Sequence, residues 1–454
     1  MEEIVFVILS FEGPDAYSRA GGLGSRVSTL SEALAAMNYE THLFFIGDPD
    51  AAGHQTQEEG RLHLHRWCQW ISAYHPAGVY DGEEGKLNDW NQSLPPWLLE
   101  EVITPSLDAG KHVVILAEEW HTVSSILYLH HLLARLRRRD QVTIFWNANN
   151  TFGFHRIPWG LLKQAATITT VSRYMKHLLW DYGADARVIP NGIHERWLQP
   201  VDASAAHSIS SLFKDRLAVA KVARWDPDKR WDMAVDAVAS MKQMGLQPLF
   251  LARGGVEAHG GEVMGRAKAH GLRVAMVQWA DSEVQALADV LRPALGADMI
   301  VLQSYLSEHQ RKQLFFAADA VLANSGVEPF GLVGLETMAT GGVAFVGCTG
   351  EDYATPGYDA IAIQSNEPGE IVHHLCTLKH TIDNAFSLRR AARDSASRYT
   401  WPAVVRRVLI PLIGELSTPL ERIGRREAAN RADHLETHRE SEPPLLAREC
   451  AAHA

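Results

Sequence analysis

Short apolar runs separated by amphipathic stretches recur along most of this chain, and that alternation is what most restricts its fold. Ile4–Leu9 is a continuous buried-strand run, followed by a Gly-rich turn and a helical pattern through Leu30, Leu34 and Met37. Further strand-length runs lie at 42–46, 113–116, 142–146, 168–171 and 188–189. After Pro200 the rhythm restarts at 217–222, 249–251, 274–277, 299–302, 320–322 and 343–346. Strands joined through helix-length connections pair in parallel and carry helices on both faces. The polar stretch at 196–212 divides the runs, so the reading is α/β with two parallel-sheet domains, 1–196 and 197–400. A segment at 47–110 breaks the rhythm and is read as an insertion holding Trp67, Trp70, Trp90 and Trp97. Beyond 416 the tail has 13 charged residues in 38. That composition buries too little apolar surface to offset ordering entropy, so 417–454 is expected to be disordered.

Composition removes several classes of function. With 46% hydrophobic and 21% charged residues in 454, the chain is globular. A net charge of −11 lacks the basic face that nucleic-acid phosphates require. No apolar run is long enough to span a bilayer, and the acidic start MEEIVFVILS is not a secretory signal, so a cytoplasmic protein is expected. Four scattered cysteines without C-x-x-C spacing argue against a disulfide framework or a zinc site. His434 and His438 have helical metal spacing but lie in the charged tail, and are read as incidental. The run Arg135–Arg139 closing a helical pattern reads as dipole complementation, with docking on anionic lipid the minor alternative.

Three segments carry candidate chemistry. Arg19-Ala20-Gly21-Gly22-Leu23-Gly24 lies between the first strand and the first helix. Its amides and the helix N-terminus suit an anion, although any tight turn also needs glycine. Arg224 and Lys229 stand five residues apart on the loop after strand 217–222. They can converge on one anion, or Arg224 can simply pair with a nearby aspartate. Glu328 and Glu336 bracket a loop, the Gly331-Leu332 turn and a helix start. Glu336 can complement a helix dipole, whereas Glu328, between Val327 and Pro329-Phe330, is read as lining a pocket.

In this order the segments resemble the retaining, sugar-nucleotide-dependent glycosyltransferases of the GT-B fold: glycosyltransferase family 4 and its glycogen synthase relatives. Glu328 to Glu336 matches the family's E-x7-E element, Arg224 and Lys229 its R-x4-K pair, and Arg19 to Leu23 its K-x-G-G-L loop. Thr170-Val171-Ser172, Val188 to Ile193, Ala317-Ala318-Asp319 and Asn147 to Phe154 extend the likeness over about residues 1–416. The resemblance implies two Rossmann-like domains across a cleft and a C-terminal crossover helix at 401–416 that returns to the first domain. It implies transfer of a hexose, with retention, from a nucleoside-diphosphate sugar to a saccharide or small-molecule hydroxyl. No essential metal or other cofactor is expected. The implied catalytic set is Glu328, Arg224, Lys229 and Glu118. Arg19, Gly21, Gly22, Leu23, Gly331, Leu332 and Glu336 would hold the donor, with Glu336 on the ribose. His121, Asn147, Trp70 and Trp90 are acceptor-side candidates, the tryptophans being either a sugar platform or local core. Three residues depart from the pattern: Arg19 replaces a lysine, Trp146 a histidine, and Glu118 a histidine usually placed beside the donor sugar. A non-catalytic sugar-nucleotide-binding protein and a sugar-nucleotide epimerase on the same fold are the alternatives.

Overall fold

The computed structural model describes residues 3–279, 286–380 and 382–417. Its first sheet contains β1 (Ile4–Leu9), β2 (Glu40–Ile46), β3 (His54–Gln57), β4 (Leu62–Trp67), β5 (His112–Glu118), β6 (Val142–Ala148), β7 (Thr167–Thr170) and β8 (Arg187–Val188). They are ordered β3-β4-β2-β1-β5-β6-β7-β8, and every pair is parallel except the β3–β4 edge. The second sheet holds β9 (Leu217–Val222), β10 (Pro248–Arg253), β11 (Val274–Val277), β12 (Met299–Leu302), β13 (Ala320–Ala323), β14 (Ala344–Val346) and β15 (Ile361–Ala362). Its order is β11-β12-β10-β9-β13-β14-β15, parallel throughout. The central strands are apolar on both faces because helices cover both, and Val5 to Leu9 are at most 1% exposed. Each sheet reverses its strand order once, between β1 and β5 and between β9 and β13. In open α/β sheets the ligand crevice lies beyond the carboxyl ends of the strands at that reversal.

The segment 47–110 departs from the sequence reading. It supplies β3, β4 and the helix Glu83–Leu98, and so widens the first sheet. Leu62 and Leu64 of β4 alternate with His63 and His65, and these polar residues weaken the strand's apolar signal in the sequence. The tryptophans are also placed differently from an acceptor platform. Trp90 is fully buried beside Phe11, and Trp67 and Trp97 pack edge-on to each other and to Phe44. Their large rings are what fill the space between this added helix and the sheet. Trp70 alone of the four is exposed, with its Nε1 3.3 Å from Asp89.

The final apolar segment crosses back to the first domain. It runs as a helix over Trp401–Val404, a π-turn over Val405–Leu409 and a helix over Ile410–Ser417. Pro411 has no N–H, and its ring crowds the carbonyl four residues earlier, which works against a regular helix. The wider π-turn just before Pro411 relieves that conflict, so the helix continues. The same device precedes Pro105, where a π-turn spans Leu99–Ile103. Trp401, Val404, Val405, Leu409, Leu412 and Ile413 join one core cluster with Phe6, Ile8, Val27, Leu30 and Leu34. The Trp401 indole donates to Thr29 Oγ1 at 2.8 Å, and its amide donates to Ile193. From residue 418 onward the charged tail lies outside the described residues, and with it the expectation of disorder and the pair His434 and His438.

Candidate functional site

The reversal point of the second sheet places two loops side by side. After β9, Asp226 caps a short 3-10 turn by accepting from the Asp228 amide at 2.9 Å, and that turn carries Lys229. After β13, the Gly326 amide donates to the Asp228 carbonyl at 2.7 Å and ties the loops together. Lys229 Nζ then lies 2.5 Å from Glu328 Oε2, with about a fifth of each side chain exposed. Gly331 follows at φ 77°, opening the helix Leu332–Thr340. A Cβ there would stand 3.2 Å from Glu328 Cγ and 3.1 Å from Glu351 Cγ, so the close approach and the left-handed backbone both call for glycine. Beneath the pair, buried Lys221 donates to Asn324 Oδ1 at 2.7 Å. Desolvation pushes its ammonium down to about 7.

The other two members of the motif have different surroundings. Arg224 is largely exposed, and its guanidinium is 3.9 Å from Asp226, the local pairing that its spacing also allowed. Glu336 accepts from Arg311 Nη1 at 2.9 Å, while burial raises its carboxyl above the ordinary value despite that cation. Arg311 in turn lies over the Trp197 ring.

Glu351 is a site residue that the sequence reading missed. Its carboxyl is buried against the Gly331 turn, and Oε2 accepts from the Thr349 amide at 3.1 Å. Desolvation pushes this carboxyl up to about 7. The available signal was Gly350-Glu351 following a strand that ends at a reversal-side loop.

In the first domain, the Gly-rich loop does bind an anion, but the anion belongs to the chain. Ala20, Gly21 and Gly24 amides all donate to Glu12 Oε2, at 3.2, 2.9 and 3.0 Å. Tyr80 donates to the other oxygen at 2.8 Å. The Gly21 amide is therefore spent on Glu12 instead of being free for a donor diphosphate. Gly22 and Leu23 begin the helix Gly22–Ala36, and exposed Arg19 donates to the Pro14 carbonyl. Glu12, three residues beyond β1, carried no sequence signal because isolated carboxylates near turns are common.

Glu118 is likewise a structural group here and does not face open solvent. It is 1% exposed and accepts from Arg26, Asn147 and Asn149 at 3.1, 2.8 and 2.7 Å. Arg26 completes the cluster by donating to Asn191 and lying over the Trp401 ring at 5.2 Å. Asn147 belongs to this same buried network, bridging Glu118 and Thr169. A cationic partner inside the core is the physical reason a carboxylate can stand where a histidine was expected. Trp146 is wholly buried and donates to the Glu119 carbonyl at 2.9 Å.

The neighbouring residues follow the carboxyl end of β5. Glu119 sits at φ 65°, unusual for a non-glycine, at the carboxyl end of β5. It accepts from the Asn149 amide at 2.8 Å, and burial pushes its carboxyl up to about 8. His121 stacks on Phe11 at 4.4 Å and contacts Glu83 through Nε2 at 2.8 Å. Its Nδ1 is buried without a partner among the described residues, and desolvation lowers its basicity. Across the crevice, Arg173 donates through its amide and Nε to Asp352, beside Glu351.

Comparison with known proteins gives this geometry a context. Residues 20–197 match the family model described as Glycosyltransferase Family 4. A D-inositol 3-phosphate glycosyltransferase of Geodermatophilus obscurus is 25% identical over 237 residues, which span 51% of this chain and 48% of the relative. Sucrose-phosphate synthase from Thermosynechococcus elongatus superposes with a TM-score of 0.63 at 17% identity, over 91% of this chain and 99% of that one. HepE from Anabaena, solved in complex with UDP-glucose, gives 0.55 at 14% identity, over 90% and 99%. No helix among the described residues is long and apolar enough to cross a membrane. Two sheets with a returning C-terminal helix give the chain the GT-B fold of these enzymes, and over residues 20–197 it carries the Glycosyltransferase Family 4 pattern.

Proposed function

We propose that this protein is a retaining glycosyltransferase moving a hexose from a nucleoside-diphosphate sugar to a hydroxyl of a saccharide or small-molecule acceptor. The observation that carries the reading is the Lys229–Glu328 pair, at 2.5 Å, beside the Gly331 helix start at the reversal of the second sheet. As the bond from the anomeric carbon to the phosphate oxygen breaks, negative charge grows on the diphosphate. Catalysis then gains most from fixed cations and N–H groups aimed at that charge. Lys229 and the amides at the start of helix Leu332–Thr340 suit that task. A donor entering between Lys229 and Glu328 would take the ammonium and free the carboxylate for the hexose hydroxyls. Arg224, exposed on the same loop, can swing to the diphosphate, and Glu336 would exchange Arg311 for the ribose. Solved relatives bound to UDP-glucose support the donor class, and the named relative places a phosphorylated polyol among acceptors to be tried.

On the acceptor side, His121, following the carboxyl end of β5, is the first-domain candidate. Trp70 is the exposed ring available for a sugar face. The test is a panel of nucleotide sugars with and without acceptors, followed by NMR of the product anomer. A retained anomeric configuration in the glycoside supports the reading. Conversion of the donor sugar without transfer indicates an epimerase. Tight donor binding with no turnover on any acceptor indicates a binding protein, and an inverted product removes the retaining mechanism.

A further inference from the structure

The outer edge of the first sheet gathers four histidines that sequence spacing does not reveal. We propose that this edge holds a structural transition-metal ion of the zinc class, ligated by Glu40, His42 and His63. One ligand atom from each of the three lies within 4.8 Å of the others. Backbone pairing fixes that proximity. Glu40 and His42 are two apart on β2 and so share a face, and His63 of β4 stands directly opposite His42 in the parallel register.

The surrounding rings set how the ligands are held: His42 and His63 stack at 4.5 Å, so one ring turns to bring both nitrogens onto the ion. His42 Nδ1 is 3.1 Å from His65 Nε2, and His63 Nδ1 is 3.4 Å from His54 Nε2. Each ligating ring also has its second nitrogen held by another side chain, as metal-bound histidines ordinarily do. His42 Nε2 is 3.2 Å from Glu40 Oε1, and at His63 the ion would take the place of its hydrogen bond with the Gly60 backbone. Lys111 Nζ occupies the other Glu40 oxygen at 2.7 Å and also pairs with Glu3, so Oε1 stays available. Two imidazoles and one carboxylate, with water completing the shell, suit zinc and its first-row neighbours better than magnesium or calcium.

The position decides the role. Glu40, His42 and His63 stand at the amino ends of β2 and β4, whereas the candidate catalytic groups follow the carboxyl ends of their strands. The ion would clip the β3–β4 edge to β2 and leave transfer chemistry untouched.

The test uses the full chain, stripped with chelator and titrated with Zn2+ alone by calorimetry, with melting followed in parallel. One ion per chain and a raised melting temperature are expected. His63→Gln and Glu40→Gln should each weaken binding by about tenfold or more, with activity retained. A variant with both His434→Ala and His438→Ala should bind Zn2+ like wild type. Equal affinity in wild type and the His42→Asn/His63→Gln double variant, or loss confined to the tail variant, overturns the proposal. If the edge variants fail to fold, Co2+ spectra of the wild-type chain decide. Bands of a low-coordinate nitrogen–oxygen site support the assignment, and an aqueous-like spectrum overturns it.

Discussion

Lys229 and Glu328 hold each other at 2.5 Å where a departing diphosphate would need a cation. Lys229→Ala is expected to lower turnover by about two to three powers of ten, as loss of one preorganised donor does. Wild-type rates in that variant would remove Lys229 from the site. Glu119 gives a second prediction, in stability. Burial raises its carboxyl to about 8 from an ordinary 4.5, so the folded chain keeps a proton that the unfolded chain releases. The stability tied to that proton is complete below about pH 4.5 and is lost as pH rises through about 8. Glu119→Gln, permanently neutral, should therefore flatten part of the decline in melting temperature across that window. Glu351, raised to about 7, leaves the remainder in place. Identical slopes for wild type and Glu119→Gln would contradict the buried protonated carboxyl.

The returning helix is the element on which the two domains depend. Trp401 is 1% exposed, packs in the same cluster as β1 and the helix Gly22–Ala36, and caps the Arg26–Glu118 pair. Trp401→Ala should cost about 3–5 kcal/mol in urea unfolding, the usual range for emptying a large aromatic site. Gly192→Ala tests the same contact from the other side, since its Cβ would lie 2.5 Å from the Trp401 ring and 2.8 Å from its amide nitrogen. A chain ending after Leu416 should fold and work nearly as well as the whole, whereas one ending before Trp401 should be unstable or inactive. Equal behaviour of the two truncations would show that the tail is structural or that the returning helix is dispensable.

Across the whole molecule, the Arg173–Asp352 pair joins the two halves. The residues proposed to meet the diphosphate are a lysine, an arginine and main-chain amides, with no cluster of hard-metal ligands among those residues. Transfer should therefore survive EDTA. Complete loss restored by Mg2+ would show that the donor is held through a metal. Chelation should instead lower the melting temperature if the sheet-edge histidines hold their ion. The two readouts separate the roles of the two regions.

Local pattern alone determined most of the architecture. Strands at 4–9, 217–222, 274–277 and 299–302 were legible to the residue as short apolar runs; 4–9 and 299–302 are covered on both faces and so are apolar throughout. The Lys229, Glu328 and Gly331 loops were legible too, since glycine and proline punctuation marks them and the parallel sheet dictates which strand ends they follow. Tertiary structure decided what each polar side chain meets. Glu118 and Glu12 look alike in sequence to any exposed carboxylate, yet one is neutralised inside the core by Arg26 and the other fills the Gly-rich loop. Strand β4 and its histidine cluster were hidden for the same reason: His42, His54, His63 and His65 become neighbours only through strand pairing, which brings together residues up to 23 positions apart. Periodicity reports which face a residue occupies; only the folded sheet supplies the partner standing opposite it.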